Sequence, residues 1–102
     1  MQNDRPEMTA LEKGVRFKTM EVSARAGMSM PLHHAAKETV IVVKTGEGVL
    51  QMEGKAHVLK AGDTMILPAM KKHSLQIETD FKAVIAMELE GEIQFESSTQ
   101  NT

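Results

Sequence analysis

From about Leu11 to Glu96 the apolar residues recur with a period of two, and Gly, Pro or Asp interrupts them every several residues. A side chain changes face at each step along a strand, so this pattern fits a set of half-buried antiparallel strands and does not fit amphipathic helices. Val15-Arg16-Phe17-Lys18-Thr19, His73-Ser74-Leu75-Gln76-Ile77-Glu78 and Phe81-Lys82-Ala83-Val84-Ile85-Ala86-Met87-Glu88 alternate in this way. Thr39-Val40-Ile41-Val42-Val43 is apolar on both faces, which predicts the best-buried strand, either central or meeting a second subunit with its outer face. Turns are expected at Gly46-Glu47-Gly48, Glu53-Gly54, Ala61-Gly62-Asp63, Pro68 and Glu78-Thr79-Asp80. About eight or nine short strands follow, enough for one closed or double-sheet barrel.

A chain of 102 residues holds one hydrophobic core, so one barrel means one site. The ordered domain is expected over residues 11–96, with residues 1–10 a flexible segment around Pro6 and residues 97–102 a polar tail. The chain has no Cys, Trp or Tyr, three Phe and nine Met, so much of the core volume falls to a flexible thioether side chain. Without cysteine there is no disulfide framework, no thiolate metal site and no thiol nucleophile; imidazole and carboxylate are the chemistry left. A net charge of −2, with Lys71-Lys72 as a mere pair, argues against nucleic acid as a partner. The N-terminus has no apolar core of a signal peptide and no run is long enough for a membrane span, which makes the cytoplasm the expected location.

One stretch is more specific than alternation. In Gly62-Asp63-Thr64-Met65-Ile66-Leu67-Pro68-Ala69-Met70-Lys71-Lys72-His73, a Gly is followed after five residues by a Pro and then by a His five further on. Gly-Asp turns the chain into a strand, Pro ends it, and the next strand begins with an inward His. This resembles the second conserved motif of the cupin family. Gly27-Met28-Ser29-Met30-Pro31-Leu32-His33, with Gly46 downstream, is similar to the first. The resemblance covers residues 27–73 and implies an all-β fold, a single cupin double-stranded β-helix or jelly-roll barrel of the small RmlC-like kind. It departs from the family at four places: Ala35 stands at the second His position, Thr39 at the Glu, Met70 at the second Gly and Ile77 at the terminal Asn.

In the metal-binding cupins these motifs supply ligands, so the resemblance places His33 and His73 on the inner wall. His34 and Glu38 are displaced by one residue from the remaining ligand positions. A β-bulge within His34-Ala35-Ala36-Lys37 would re-aim them, completing a tentative metal set of His33, His34, Glu38 and His73 for one divalent transition metal, Zn, Fe, Mn or Ni. Without the bulge two ligands remain, no metal need bind, and His33 and His73 serve as polar anchors of a pocket shared with Thr39, Ile41, Met65 and Met87. His57 reads as structural, and Lys71-Lys72 either as a solvated turn or as a holder of anions at the barrel mouth.

Three functions stay open: a barrel that binds a small molecule with or without catalysis, a metal-dependent enzyme of the oxygenase or isomerase type, and a homodimeric sensing module. Val40, Val42, Leu50 and Met52 are the candidates for an apolar dimer patch, and a homodimer is expected under all three.

Overall fold

The computed structural model describes residues 5–96, and the expected polar tail at 97–102 lies outside them. Ten strands and no helix make up this part of the chain. One sheet contains β1 (Glu7–Lys13), β2 (Phe17–Ala24), β9 (Phe81–Glu88), β4 (Thr39–Thr45) and β7 (Thr64–Leu67), in that spatial order. The other contains β10 (Ile93–Phe95), β3 (Ser29–Ala35), β8 (His73–Ile77), β5 (Glu47–Met52) and β6 (Lys55–Lys60). Every pairing is antiparallel. The two sheets face each other as a jelly-roll barrel, and the alternating residues fill the space between them. Val22, Val43, Leu50, Ile77, Phe81 and Met87 are the largest side chains removed almost completely from water. No described helix is long and apolar enough to cross a membrane.

Most of the expected turns fall between strands, including Glu53-Gly54, Ala61-Gly62 and the Pro68–Met70 corner. The domain starts earlier than expected. β1 begins at Glu7 and pairs with β2 from Glu7 opposite Ser23, so residues 7–10 belong to the sheet and not to a flexible segment. Met8 packs against the core and alternates with Ala10, but Glu7, Thr9 and the polar stretch around Pro6 mask that short signal; ladder hydrogen bonds to β2 complete the order.

β4 is buried on one face only. Thr39, Ile41 and Val43 point inward at 3%, 3% and 1% exposure, whereas Val40 and Val42 stay 37% and 38% exposed. The expected outer patch is also different in membership. Leu50 is in the core at 1% exposure and Met52 packs against that core, so neither belongs to it. Val40 instead adjoins Ile66 across the ladder, and Val42 adjoins Val84.

Two turn residues carry most of the backbone demand. Gly46 has φ +83°, and a Cβ there would sit 1.9 Å from the Asp80 carbonyl oxygen, so this corner between β4 and β5 can close only on Gly. Met70 has φ +66° and is 61% exposed, at the position where the family motif has Gly. The left-handed backbone has been kept while the residue that relieves it has been lost, at a cost of about 1–2 kcal/mol. Met70→Gly is expected to stabilise the fold by about 0.5–1 kcal/mol after the entropy of a freer unfolded chain is subtracted. Thermal or urea unfolding checks this, and a destabilised variant would contradict it.

Candidate functional site

Strand β3 decides which side chains reach the interior. Its pairing with β8 runs Ser29 opposite Gln76 and Met30 opposite Leu75, then resumes at His33 opposite His73, with one more residue on β3 than on β8. The extra residue is accommodated at Pro31-Leu32, both exposed, between buried Met30 and buried His33. Regular alternation from Met30 would have placed Leu32 inside and His33 outside. A bulge reverses that, and Pro31, which has no N–H to contribute to a ladder, is at home in one.

His33 and His73 therefore meet on the inner wall, 5% and 4% exposed, with ring centroids 4.2 Å apart and planes at 66°. Each Nδ1 lies against a backbone carbonyl two residues earlier, His33 at 2.6 Å from Pro31 O and His73 at 3.0 Å from Lys71 O. A carbonyl oxygen only accepts, so both Nδ1 atoms carry the proton and both Nε2 atoms hold a lone pair. Burial holds the His33 imidazole down at a pKa of about 4, against the raising effect of the Pro31 carbonyl and with help from His73 and His34. Burial likewise lowers His73, opposed by its bond to Lys71. At neutral pH the pair is uncharged.

The rest of the predicted site is dispersed. Thr39, Ile41 and Met87 are buried on the facing sheet, and Met65 is half-buried beside Ile41. The Thr39 hydroxyl donates to Lys37 O at 3.2 Å. His34 occupies the opposite face of β3 from His33, and its Nδ1, 3.5 Å from Glu96 Oε2, is buried without a hydrogen bond. Glu38 is exposed in the turn after β3. The bulge that was to re-aim these two within residues 34–37 lies at Pro31-Leu32, so it turns inward His33 and Ala35 and leaves His34 and Glu38 away from the pair.

The inward ligand positions are thus filled by Ala35, at 6% exposure, and Thr39, neither of which offers the imidazole or carboxylate donor the motif would place there. No cluster of three or more His, Asp or Glu suited to a metal ion occurs among the described residues. A first-row metal that needs about three or four such ligands does not fit this donor set.

Other expectations are resolved by contacts. Lys71 bonds Glu53 at 2.5 Å and Lys72 reaches Glu96 at 3.4 Å, so both lysines are engaged by carboxylates. His57 is half-buried on edge strand β6 and borders a cleft of about 370 Å3 with Met65, away from the pair. One residue escaped the sequence reading. Phe95 of β10 lies opposite His33 in the ladder, with its ring centroid 5.0 Å from that imidazole, and the Arg5 guanidinium stands over the same ring at 5.6 Å. The alternation Ile93-Gln94-Phe95 hints at an inward Phe, but its partner is set by a strand pairing far apart in sequence.

Several solved structures share this architecture. An RmlC-like cupin protein from Desulfovibrio desulfuricans is 25% identical with a TM-score of 0.72, covering 82% of each chain. The DMSP lyase DddQ from Ruegeria pomeroyi gives a TM-score of 0.82 at 20% identity over 96% of this chain and 54% of that one. A salicylate 1,2-dioxygenase mutant from Pseudoaminobacter salicylatoxidans, in complex with gentisate, gives 0.74 at 23% identity over 81% of this chain and only 25% of its own. At such identities the two enzymes share the fold, which by itself supports many chemistries. No curated protein sequence matches the chain. The cupin-domain family model matches residues 18–94, which is 77 of the 102 residues, and in agreement with the paired sheets and the two inward histidines the chain belongs to the cupin family.

Proposed function

We propose that this cupin is a binding barrel whose recognition element is the uncharged His33–His73 pair, and that its ligand is a small neutral molecule carrying a hydrogen-bond donor. The observation that carries this reading is the fixed tautomer: with both Nδ1 atoms committed to backbone carbonyls, the pair presents Nε2 acceptors in an apolar setting. A hydroxyl or N–H that reaches one of these lone pairs gains a hydrogen bond in surroundings of lower polarity than water, where such a bond is electrostatically stronger. The same setting disfavours an anion. Desolvating a carboxylate beside neutral imidazoles is expensive, and the two lysines near the site already face Glu53 and Glu96. The related enzymes are consistent with small organic ligands for this fold, but His34 and Glu38, the donors on which a metal-dependent oxygenase or isomerase reading rested, lie away from the pair.

Two outcomes follow. In a histidine-resolved NMR titration, cyclohexanol is expected to move the Nε2 resonances of both His33 and His73, while cyclohexanecarboxylate leaves them in place. Equal response to the anion, or none to the alcohol, would remove the reading.

The second outcome is a pH dependence. His33 is lowered from 6.5 to about 4 in the folded state, so between these values the unfolded chain binds more protons than the native one and stability falls as pH falls. The contribution is fully present above pH 6.5 and lost as pH drops through the folded value, a difference of roughly 3 kcal/mol for His33 alone. His33→Gln is expected to lose most of that slope in urea-unfolding curves taken from pH 7 to 4. An unchanged slope would show that His33 is not buried in its neutral form.

A further inference from the structure

His33 is shielded by rings on both of its flanks. β3 lies between β8 and β10, so His73 meets His33 from one side and Phe95 from the other. The contacts form a column: His73 to His33 at 4.2 Å, His33 to Phe95 at 5.0 Å with a 40° tilt, and Phe95 to the Arg5 guanidinium at 5.6 Å. Phe95 is an unusual member of it. It is 41% exposed, on a three-residue edge strand, and its ring rests between an imidazole and a guanidinium. Its neighbour Glu96 ties this end of the chain to the site through Lys72 at 3.4 Å and to His34 at 3.5 Å.

An aromatic ring covering a buried polar pair has two consequences. It keeps water from His33, which is 5% exposed although its strand lies next to the edge strand of its sheet. It also occupies a space in contact with two planar groups, the His33 imidazole and the Arg5 guanidinium, where stacking and cation–π attraction favour another flat ring over an aliphatic body of equal size.

Resting on the reading that the His33–His73 pair is the binding element, we infer that Phe95 holds the place of the ligand: the site takes a planar aromatic ring bearing a hydroxyl, which displaces the Phe95 side chain from the column between His33 and Arg5. β10 is suited to this, because it pairs with β3 through only three residues and, among the described residues, is the edge strand of its sheet. The displaced phenyl moves outward, the ligand's ring stacks where it stood, and the ligand's hydroxyl donates to an imidazole Nε2. No covalent step is involved. Phe95 then sets both access and ligand shape, and Arg5 forms the outer wall of the slot.

The test compares phenol with cyclohexanol, which share the hydroxyl and the ring size and differ in planarity, on the wild type, Phe95→Ala and Phe95→Leu. Affinity is read by calorimetry, and the His33 and His73 ring resonances report the location. Removing the competing phenyl is expected to tighten phenol by about tenfold in Phe95→Ala, the factor that corresponds to one aromatic contact of about 1.4 kcal/mol, while cyclohexanol gains much less. Phe95→Leu fills the space without stacking and is expected to fall between the two for phenol; it decides the matter alone if the alanine variant does not fold. Equal gains for phenol and cyclohexanol, or no gain for phenol, would overturn the inference. If both probes move the histidine signals equally in all three proteins, the binding role of the pair stands and the aromatic slot falls. If neither probe moves them in any protein, both fall together.

Discussion

The candidate site depends on one extra residue in β3. A strand offers its two faces alternately, so a single insertion opposite Ser74 exchanges every inward residue after it for its neighbour. Before the bulge Met30 faces the core as any strand residue would; after it His33 and Ala35 do. The bulge therefore creates the His33–His73 contact and at the same time excludes His34, although the two adjacent histidines are chemically identical. Pro31 contributes twice, by tolerating the break in the ladder and by offering the carbonyl that fixes the His33 tautomer.

From that placement the electrostatics follow. Two imidazoles in ring contact inside an apolar barrel cannot readily both be charged, and burial is the larger of the effects that keep them neutral. Neutral imidazoles with anchored Nδ1 atoms are good metal ligands in general, and in a cupin with a full motif they would have partners. Here the wall positions beside them carry a methyl group and a hydroxyl that is turned to Lys37. The barrel keeps the orientation machinery of a metal site without the donors, among the described residues, that complete one, and the proposal of a neutral hydrogen-bonding ligand starts from that difference.

Much of the fold was legible because it rests on local rules. Period-two alternation marked most of the strands, and Gly62 and Pro68 marked the corners that carry the second motif, since few residues meet those backbone demands. The two central histidines were legible through the resemblance to the cupin motifs, in which each stands at a fixed distance from a Gly, here Gly27 and Gly62. What escaped was set by pairing across the chain. The position of the bulge depends on where β3 meets β8; Pro31 marks a break in the ladder, but the register beyond it is set by the pairing of His33 with His73. The start of β1 escaped because Met8 and Ala10 stand among polar residues and find their place only by pairing with β2, and Phe95 joins the site only through its ladder partner His33, 62 residues earlier. Leu50 faces the core and not the expected outer patch, because the sequence does not say which face of β5 the barrel closes upon.

The central claim is that the bulge buries His33 against His73 in neutral, Nδ1-protonated form. A site-assigned 15N NMR titration of the histidine side chains in the wild-type protein tests it most directly. The account predicts a His33 midpoint near 4, a His73 midpoint below 6.5, and Nδ1-protonated rings for both above those values. A His33 that titrates at 6.5, or that carries its neutral proton on Nε2, would place that ring outside the barrel and contradict the account.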